Sequence, residues 1–422
     1  MRVIASLMIH KIHKPETDSR DRCNTAPHMT SPLSPTLREN LRALPAAAWI
    51  LFAGTFINRF GTFVMPFLIL YFTRKGYSEV RSGLAVGAYG AGHLVASILG
   101  GHLADRFGRR NTIALSMFSV AASMMMLSQA DSYPAIVSLT FLTGLTGELY
   151  RPASSALLAD LVLPHQRVAA YSMYRLAINL GFAAGPATAG FLADRSFFLL
   201  FAGDAITSAL FGLVALFFLP HGFKPESKPI GATSSISIIL RDRAFALFLI
   251  ATLCITLVDF QTASTFALHV RDLGFSNSTY GLLLSLNGML IVVFELAITA
   301  WTQRLPPRPV IAAGYLLLGI GIALTGVAHS VWALAITVVI WTLGEMVSSP
   351  VASAYVAGLA PEELRGRYMG AWGLMWSLGL TLGPSLGTIV YGKYPPLVWI
   401  GCAVLGTASA IFVLRDPKQI QR

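Results

Sequence analysis

The sequence predicts an all-helical protein that crosses a membrane twelve times, arranged as two parallel-repeat bundles of six helices. Three observations predict it. The 422 residues are 55% hydrophobic and only 12% charged, against about 25% charged in a soluble domain. The apolar residues gather into twelve runs, each near the roughly 20 residues a spanning helix needs. The second six runs repeat features of the first six at a fixed offset.

Taken in order, residues 1–45 are polar and carry Pro27, Pro32 and Pro35, which predicts a disordered cytoplasmic tail. Val3–Ile9 is too short for a signal-peptide core, and no small-residue cleavage site follows it. Met1 and Met29 both stand as possible starts. Spans 1 to 6 are expected at 46–72, 82–104, 111–130, 134–161, 168–192 and 197–219, forming an N-terminal bundle over 46–220. Residues 221–243 hold Pro225, Pro229, Lys224, Lys228, Arg241 and Arg243 and read as a cytoplasmic linker. Spans 7 to 12 follow at 244–269, 278–301, 309–328, 331–358, 366–391 and 396–414, forming a C-terminal bundle over 244–414 with a tail at 415–422.

Orientation follows from the basic residues. With an inside N-terminus, the inside loops carry twelve Lys or Arg and the outside loops six. That asymmetry predicts both termini in the cytoplasm. It also accounts for the net charge of +11, since the basic residues are scattered between apolar runs rather than gathered for nucleic acid. Cys23, Cys254 and Cys402 have no metal or redox spacing. There is no phosphate-binding G-x-x-x-x-G-K-[ST] loop and no H-E-x-x-H, so the reading is a non-enzyme without cofactor or metal.

The repeat is read at an offset of 198. It lays Pro152 on Pro350, Arg167 on Arg365, Gly181 on Gly379, and Gly185-Pro186 on Gly383-Pro384. Arg106 falls on Arg304 and Arg110 on Arg308. Six spans preserve the direction of each helix, so the two bundles are parallel repeats.

The most specific stretch is Gly100-Gly101-His102-Leu103-Ala104-Asp105-Arg106-Phe107-Gly108-Arg109-Arg110, between spans 2 and 3. Gly101 and Gly108 allow close approach or a sharp turn, and Arg106, Arg109 and Arg110 hold the turn inside. Asp105 stands at the negative end of its own helix, where it needs a cation or the N-terminus of another helix. A plain stop-transfer turn explains the arginines but not the Asp. The pattern resembles the loop 2–3 signature of the major facilitator superfamily. The second copy is degenerate, with Gln303 in place of Asp105 and prolines at 306 and 307.

The resemblance extends over residues 46–414 and implies two such bundles related by an axis along the membrane normal. It implies that Asp105 meets the start of span 11 and that Arg109 pairs with Asp160, as a cytoplasmic latch. In span 5, Gly181-Phe-Ala-Ala-Gly185-Pro186-Ala-Thr-Ala-Gly190 resembles the family's antiporter signature, with Ala189 where the family has a glycine. Close helix packing explains the same glycines.

Ionisable residues within spans are costly and mark functional candidates. Arg59, Glu148, Asp259 and Glu345 lie near the middle of spans 1, 4, 7 and 10, which by the resemblance line the central cavity. Arg151 follows Glu148 at i+3, within pairing reach. Glu148, Glu345, Asp259, Arg59 and Arg151 are therefore the expected proton-coupling and cavity residues. Arg175, Asp204 and Glu295 are expected to pair between helices, and His93 and His269 to serve packing or interfaces.

The sequence thus points to a secondary transporter in the cell membrane, working by alternating access. The resemblance to the multidrug-efflux branch implies proton-coupled export of small amphipathic compounds by a monomer, with small-molecule substrate, protons and lipid as partners. A sugar or metabolite permease of the same fold is the alternative. A non-transporting receptor or scaffold is the alternative of another class, and it would have no need of mid-membrane charges.

Overall fold

The computed structural model describes residues 37–163, 166–222, 242–360 and 364–415. The expected N-terminal tail up to 36, linker residues 223–241 and the tail at 416–422 lie outside the described residues. Every regular element among the described residues is a helix.

Span 1 comprises Ala46–Phe60 and Val64–Arg74, span 2 is Glu79–Phe107, and span 3 is Arg109–Ser128. Span 4 comprises Tyr133–Glu148 and Tyr150–Leu161, span 5 is Arg167–Arg195, and span 6 is Phe197–Phe218. Span 7 comprises Arg243–Asp259 and Thr265–Asp272, and span 8 is Asn277–Thr302. Pro307–Leu324, Val331–Leu359, Arg365–Tyr391 and Pro395–Leu414 are spans 9 to 12. Ten stretches are long and apolar enough to cross a membrane as they stand, and spans 4 and 7, each built of two helices, complete the twelve. Leu296, Trp332 and Phe217 are among the many large apolar side chains that point outward, as a lipid environment requires.

The turn between spans 2 and 3 is tighter than the sequence suggests. Span 2 runs to Phe107, so Asp105 and Arg106 belong to its last helical turn, and the reversal is made at Gly108 alone, with φ +86°. That left-handed conformation costs a glycine nothing, whereas a side chain would strain it. At its other end span 2 is capped by Ser78, whose hydroxyl accepts the Arg81 N–H.

Spans 1, 4 and 7 are broken near their middles, and each break is stitched by a side chain from elsewhere or from the break itself. Pro152 has no N–H, so span 4 cannot keep its ladder through Glu148. Ser116 of span 3 bridges the gap, accepting the Tyr150 N–H at 3.1 Å and donating to the Thr146 carbonyl at 2.5 Å. In span 1, Asp204 of span 6 accepts the Val64 N–H at 3.3 Å. In span 7, Gln261 donates to the Leu257 and Gly383 carbonyls, at 2.8 and 3.0 Å, and accepts from Thr265. Backbone groups freed in a membrane must be satisfied internally, and at each of the three breaks a buried side chain supplies part of that demand. Under the 198-residue offset the breaks of spans 1 and 7 coincide. Span 10 departs from its counterpart: Pro350 sits inside a continuous helix.

The two halves meet along two helix pairs, span 2 with span 11 and span 5 with span 8. Gly83, Gly87 and Gly90 lie against the outer part of span 11, and Gly190 and Gly281 against the spans 8 and 5 backbones. An added methyl at Gly281 would fall on the Pro186 carbonyl, so the chains approach as closely as backbones can. We call the side carrying Gly108 the turn face and the other the opposite face. On the opposite face the halves are joined by an Arg271–Glu79 ion pair at 2.7 Å and by Tyr280 donating to the Pro66 carbonyl at 3.1 Å. On the turn face the glycines at 366, 370 and 373 of span 11 border open space.

Candidate functional site

Glu148 ends the first helix of span 4, at the break four residues before Pro152. It is buried, and its Oε1 lies 2.9 Å from Arg151 Nη1 and 3.3 Å from His93 Nε2. The other ring nitrogen of His93 is 3.2 Å from the Ser377 hydroxyl on span 11. One carboxylate is thus tied through a histidine to the other half of the protein. The His93–Ser377 bond lies nearer the turn face than the one in which Ser385 of span 11 donates to the Gly83 carbonyl of span 2 at 3.4 Å.

Arg59 is the penultimate residue of the first helix of span 1, with its guanidinium 5.7 Å from the centre of the Tyr150 ring, in range of a cation–π contact. The span 5 motif explains how Arg59 is placed. Gly181 lies against the Arg59 Cβ and Phe60 backbone, and Gly185 against the Phe60 carbonyl. The glycines bring span 5 onto the end of the broken helix, just where its carbonyls lack ladder partners.

The second half holds a separate acidic site. Asp259, the last residue before the break in span 7, and Glu345 of span 10 line a cavity of about 10 Å³ with Thr256, Ser348, Trp372 and Trp376. Glu345 accepts from Asn287 of span 8 at 3.1 Å, and Asn287 also donates to Thr342 at 3.1 Å. Among the described residues the Asp259 carboxylate has no hydrogen bond, and neither acid forms an ion pair. The indole N–H groups of both tryptophans are buried without a partner.

The remaining expected residues divide. Arg175 and Glu295 do pair, across spans 5 and 8, with Asn179 also donating to Glu295 at 3.4 Å. Asp204 does not join them. It caps the second helix of span 1 instead, because the break there leaves a buried N–H that a carboxylate satisfies better than any neighbour. At the turn, Arg109 pairs with Asp160 and donates to the Ala156 carbonyl at 2.5 Å. Asp105 is exposed and meets no partner among the described residues. Arg106 lies over the Phe107 ring and Arg110 reaches Asn111 at 3.4 Å. Gly101 lies within the helix of span 2, and Gly190 faces the Asn277–Ser278 backbone.

Two site residues escape sequence reasoning. His93 has no local pattern around it and reads as a lone histidine. The signal that would have found it is depth, since it lies as far into span 2 as Glu148 does into span 4. Asn287 is equally isolated in sequence, and only the fold brings it beside Glu345.

The sequence profile of the family described as the Major Facilitator Superfamily matches residues 51–271 and again 248–422. An uncharacterized MFS-type transporter of Bacillus subtilis (strain 168), YqjV, is 28% identical, over 88% of this chain and 94% of its own length. A Na(+), Li(+), K(+)/H(+) antiporter of Planococcus maritimus is 26% identical over 82% of this chain and 88% of the antiporter. Multidrug resistance protein MdtH of Citrobacter koseri (strain ATCC BAA-895 / CDC 4225-83 / SGSC4696) is 25% identical over 81% and 87%. Among solved structures, the nucleoside transporter NupG (D323A mutant) superposes with a TM-score of 0.76 at 14% identity, covering 88% of this chain and all of that one. A POT family transporter in complex with 5-aminolevulinic acid gives 0.75 at 19%, covering 89% and 96%. These structures share the fold.

Proposed function

The chain belongs to the Major Facilitator Superfamily, and from that premise we propose that it exports small amphipathic compounds across the cell membrane in exchange for protons. In this reading the turn face and both termini are cytoplasmic, as the arginine and lysine asymmetry favours. The protein works as a monomer, since one chain supplies both halves that alternate around the site.

The observation that carries the reading is the acidic pair Asp259 and Glu345, which line one small cavity and form no ion pair among the described residues. Both are half-buried, and a carboxylate drawn out of water without a cation is costly. A proton or a basic substrate offsets that cost, and the two compete for the same oxygens. Competition of this kind is what couples their opposite movements. A basic amphipathic compound would also find the faces of Trp372 and Trp376. Glu148, already held by Arg151 and His93, is the second proton-coupling candidate, with Arg59 and Arg151 setting its field. The Arg109–Asp160 pair and Asp105, with Gly101, Arg106, Gly108 and Arg110 around it, form the cytoplasmic latch. The names of the MdtH proteins and the Planococcus antiporter are consistent with this class.

A second reading, symport or uniport of a metabolite, is favoured by one feature. Arg151 is half-exposed beside Glu148, which suits an anionic or zwitterionic solute. Purified protein in liposomes containing a pH-sensitive dye separates the two. Weak-base amphiphiles should drive proton release that Asp259→Asn and Glu345→Gln abolish. Undiminished release in both variants would place coupling elsewhere. Counterflow of a sugar or an acid, with no release by any base, would establish the second reading.

A further inference from the structure

Asp194, the penultimate residue of span 5, accepts the backbone N–H groups of Asn277 and Ser278 at 2.9 and 3.0 Å. These are the first two residues of span 8, in the other half of the protein. Asp194 is unfavourable at the C-terminal end of its own helix and favourable at the N-terminus of another. It satisfies two of the four N–H groups that a helix start leaves without partners. Gly190, one turn earlier, lets the span 5 helix approach closely enough for this bond.

The sequence around Asp194 is Gly190-Phe191-Leu192-Ala193-Asp194-Arg195. It repeats Gly101-His102-Leu103-Ala104-Asp105-Arg106, the most specific stretch of the chain, at an offset of 89 residues. The same offset lays Gly92 on Gly181. Both hexapeptides close helices of 29 residues, Glu79–Phe107 and Arg167–Arg195. They end at opposite faces of the protein. Spans 1–3 and 4–6 are thereby inverted repeats within one half, and G-x-L-A-D-R is the mark of the repeat.

The two copies are in different states. Asp194 is engaged, whereas Asp105 is exposed and has no partner among the described residues, and the helix of span 11 begins at Arg365 with no described atom close to where a Gly366 side chain would stand. We infer that Asp194 and Asp105 are a matched pair of latches, engaged alternately. Asp194 closes the opposite face on the start of span 8, and Asp105 closes the turn face on the start of span 11. The Arg271–Glu79 pair reinforces the first latch. Because both latches make the same kind of bond, breaking one is offset by forming the other, and neither closed state becomes a trap. The inference rests on the proposed engagement of Asp105 with span 11, and adds Asp194 as its counterpart.

The test is the distribution of distances between spin labels in the full-length protein, freed of Cys23, Cys254 and Cys402, in lipid nanodiscs. Ser132→Cys with Lys393→Cys reports the opposite face, and His221→Cys with Gln303→Cys reports the turn face. Asp194→Ala should shift the population about tenfold toward opening at the opposite face. Asp194→Asn keeps an acceptor without the charge and should fall between. Asp105→Ala should shift the population the other way, and the double variant should return it toward the starting ratio. No shift in well-folded Asp194→Ala, or a shift in the same direction as Asp105→Ala, overturns the pairing. A response to Asp194→Ala alone also overturns it, and leaves the transport reading to the separate proton-release assay.

Discussion

Ser116→Ala should destabilise the protein by about 1 to 3 kcal/mol, out of proportion to the loss of one oxygen. Ser116 is fully buried and holds both sides of the break in span 4. Hydrogen bonds between membrane helices average about 0.6 kcal/mol, so losing two sets a floor near 1.2 kcal/mol. A buried N–H or carbonyl left unmade costs about 1 to 3 kcal/mol, which sets the upper end. Tyr150, whose N–H is at stake, is 1% exposed, so bulk water does not replace the hydroxyl. Reversible unfolding in mixed micelles measures the difference, with Ser116→Cys as a nearly isosteric variant of intermediate effect. Transport should fall with it, because Glu148 is the last residue before the break. Stability of Ser116→Ala within about 0.5 kcal/mol of wild type, the range of an ordinary surface change, would refute the stitching argument.

Asp204→Ala should lower the thermal midpoint by removing the cap on the second helix of span 1, a loss of about 1 kcal/mol, and Asp204→Asn should restore most of it, because Asn caps nearly as well. Glu148→Gln should abolish uphill transport in liposomes while substrate counterflow continues. Loss of counterflow as well would make Glu148 a structural partner of His93 and Arg151 rather than a coupling group.

The fold was legible because membrane burial imposes its own grammar: run length and a 198-residue repeat are each read without knowing a single contact. The breaks in spans 1, 4 and 7 were not read, since each of these spans is a continuous apolar run in the sequence. Pro152 serves there only as a mark of the repeat, and it could not have announced the break in span 4 by itself, because its twin Pro350 lies in a continuous helix. The midplane charges were found by depth alone, and depth does not reveal partners. It grouped Arg59, Glu148, Asp259 and Glu345 as one set, where the structure pairs Glu148 with Arg151 and His93 and leaves Asp259 and Glu345 to each other. Asp204 illustrates the remaining gap. A carboxylate inside a span invites a cation as partner, and its actual partner is a backbone N–H that exists only because a helix 140 residues away in sequence is interrupted.

The glycine faces of spans 2 and 5 also bear on how the protein is made. Gly83 meets Ser385 across 302 residues of chain, so during synthesis its face waits in lipid long before span 11 exists. The wait is cheap. A glycine stripe shows lipid neither charge nor unmade hydrogen bond, and what it forgoes is van der Waals contact. Ser116 and Asp204, which stitch spans 4 and 1, both belong to the first half and are in place before the second half is translated. The first six spans can therefore settle as an inserted intermediate, and the second six dock onto a template rather than fold alongside it. Two halves translated as separate polypeptides would face only the docking step.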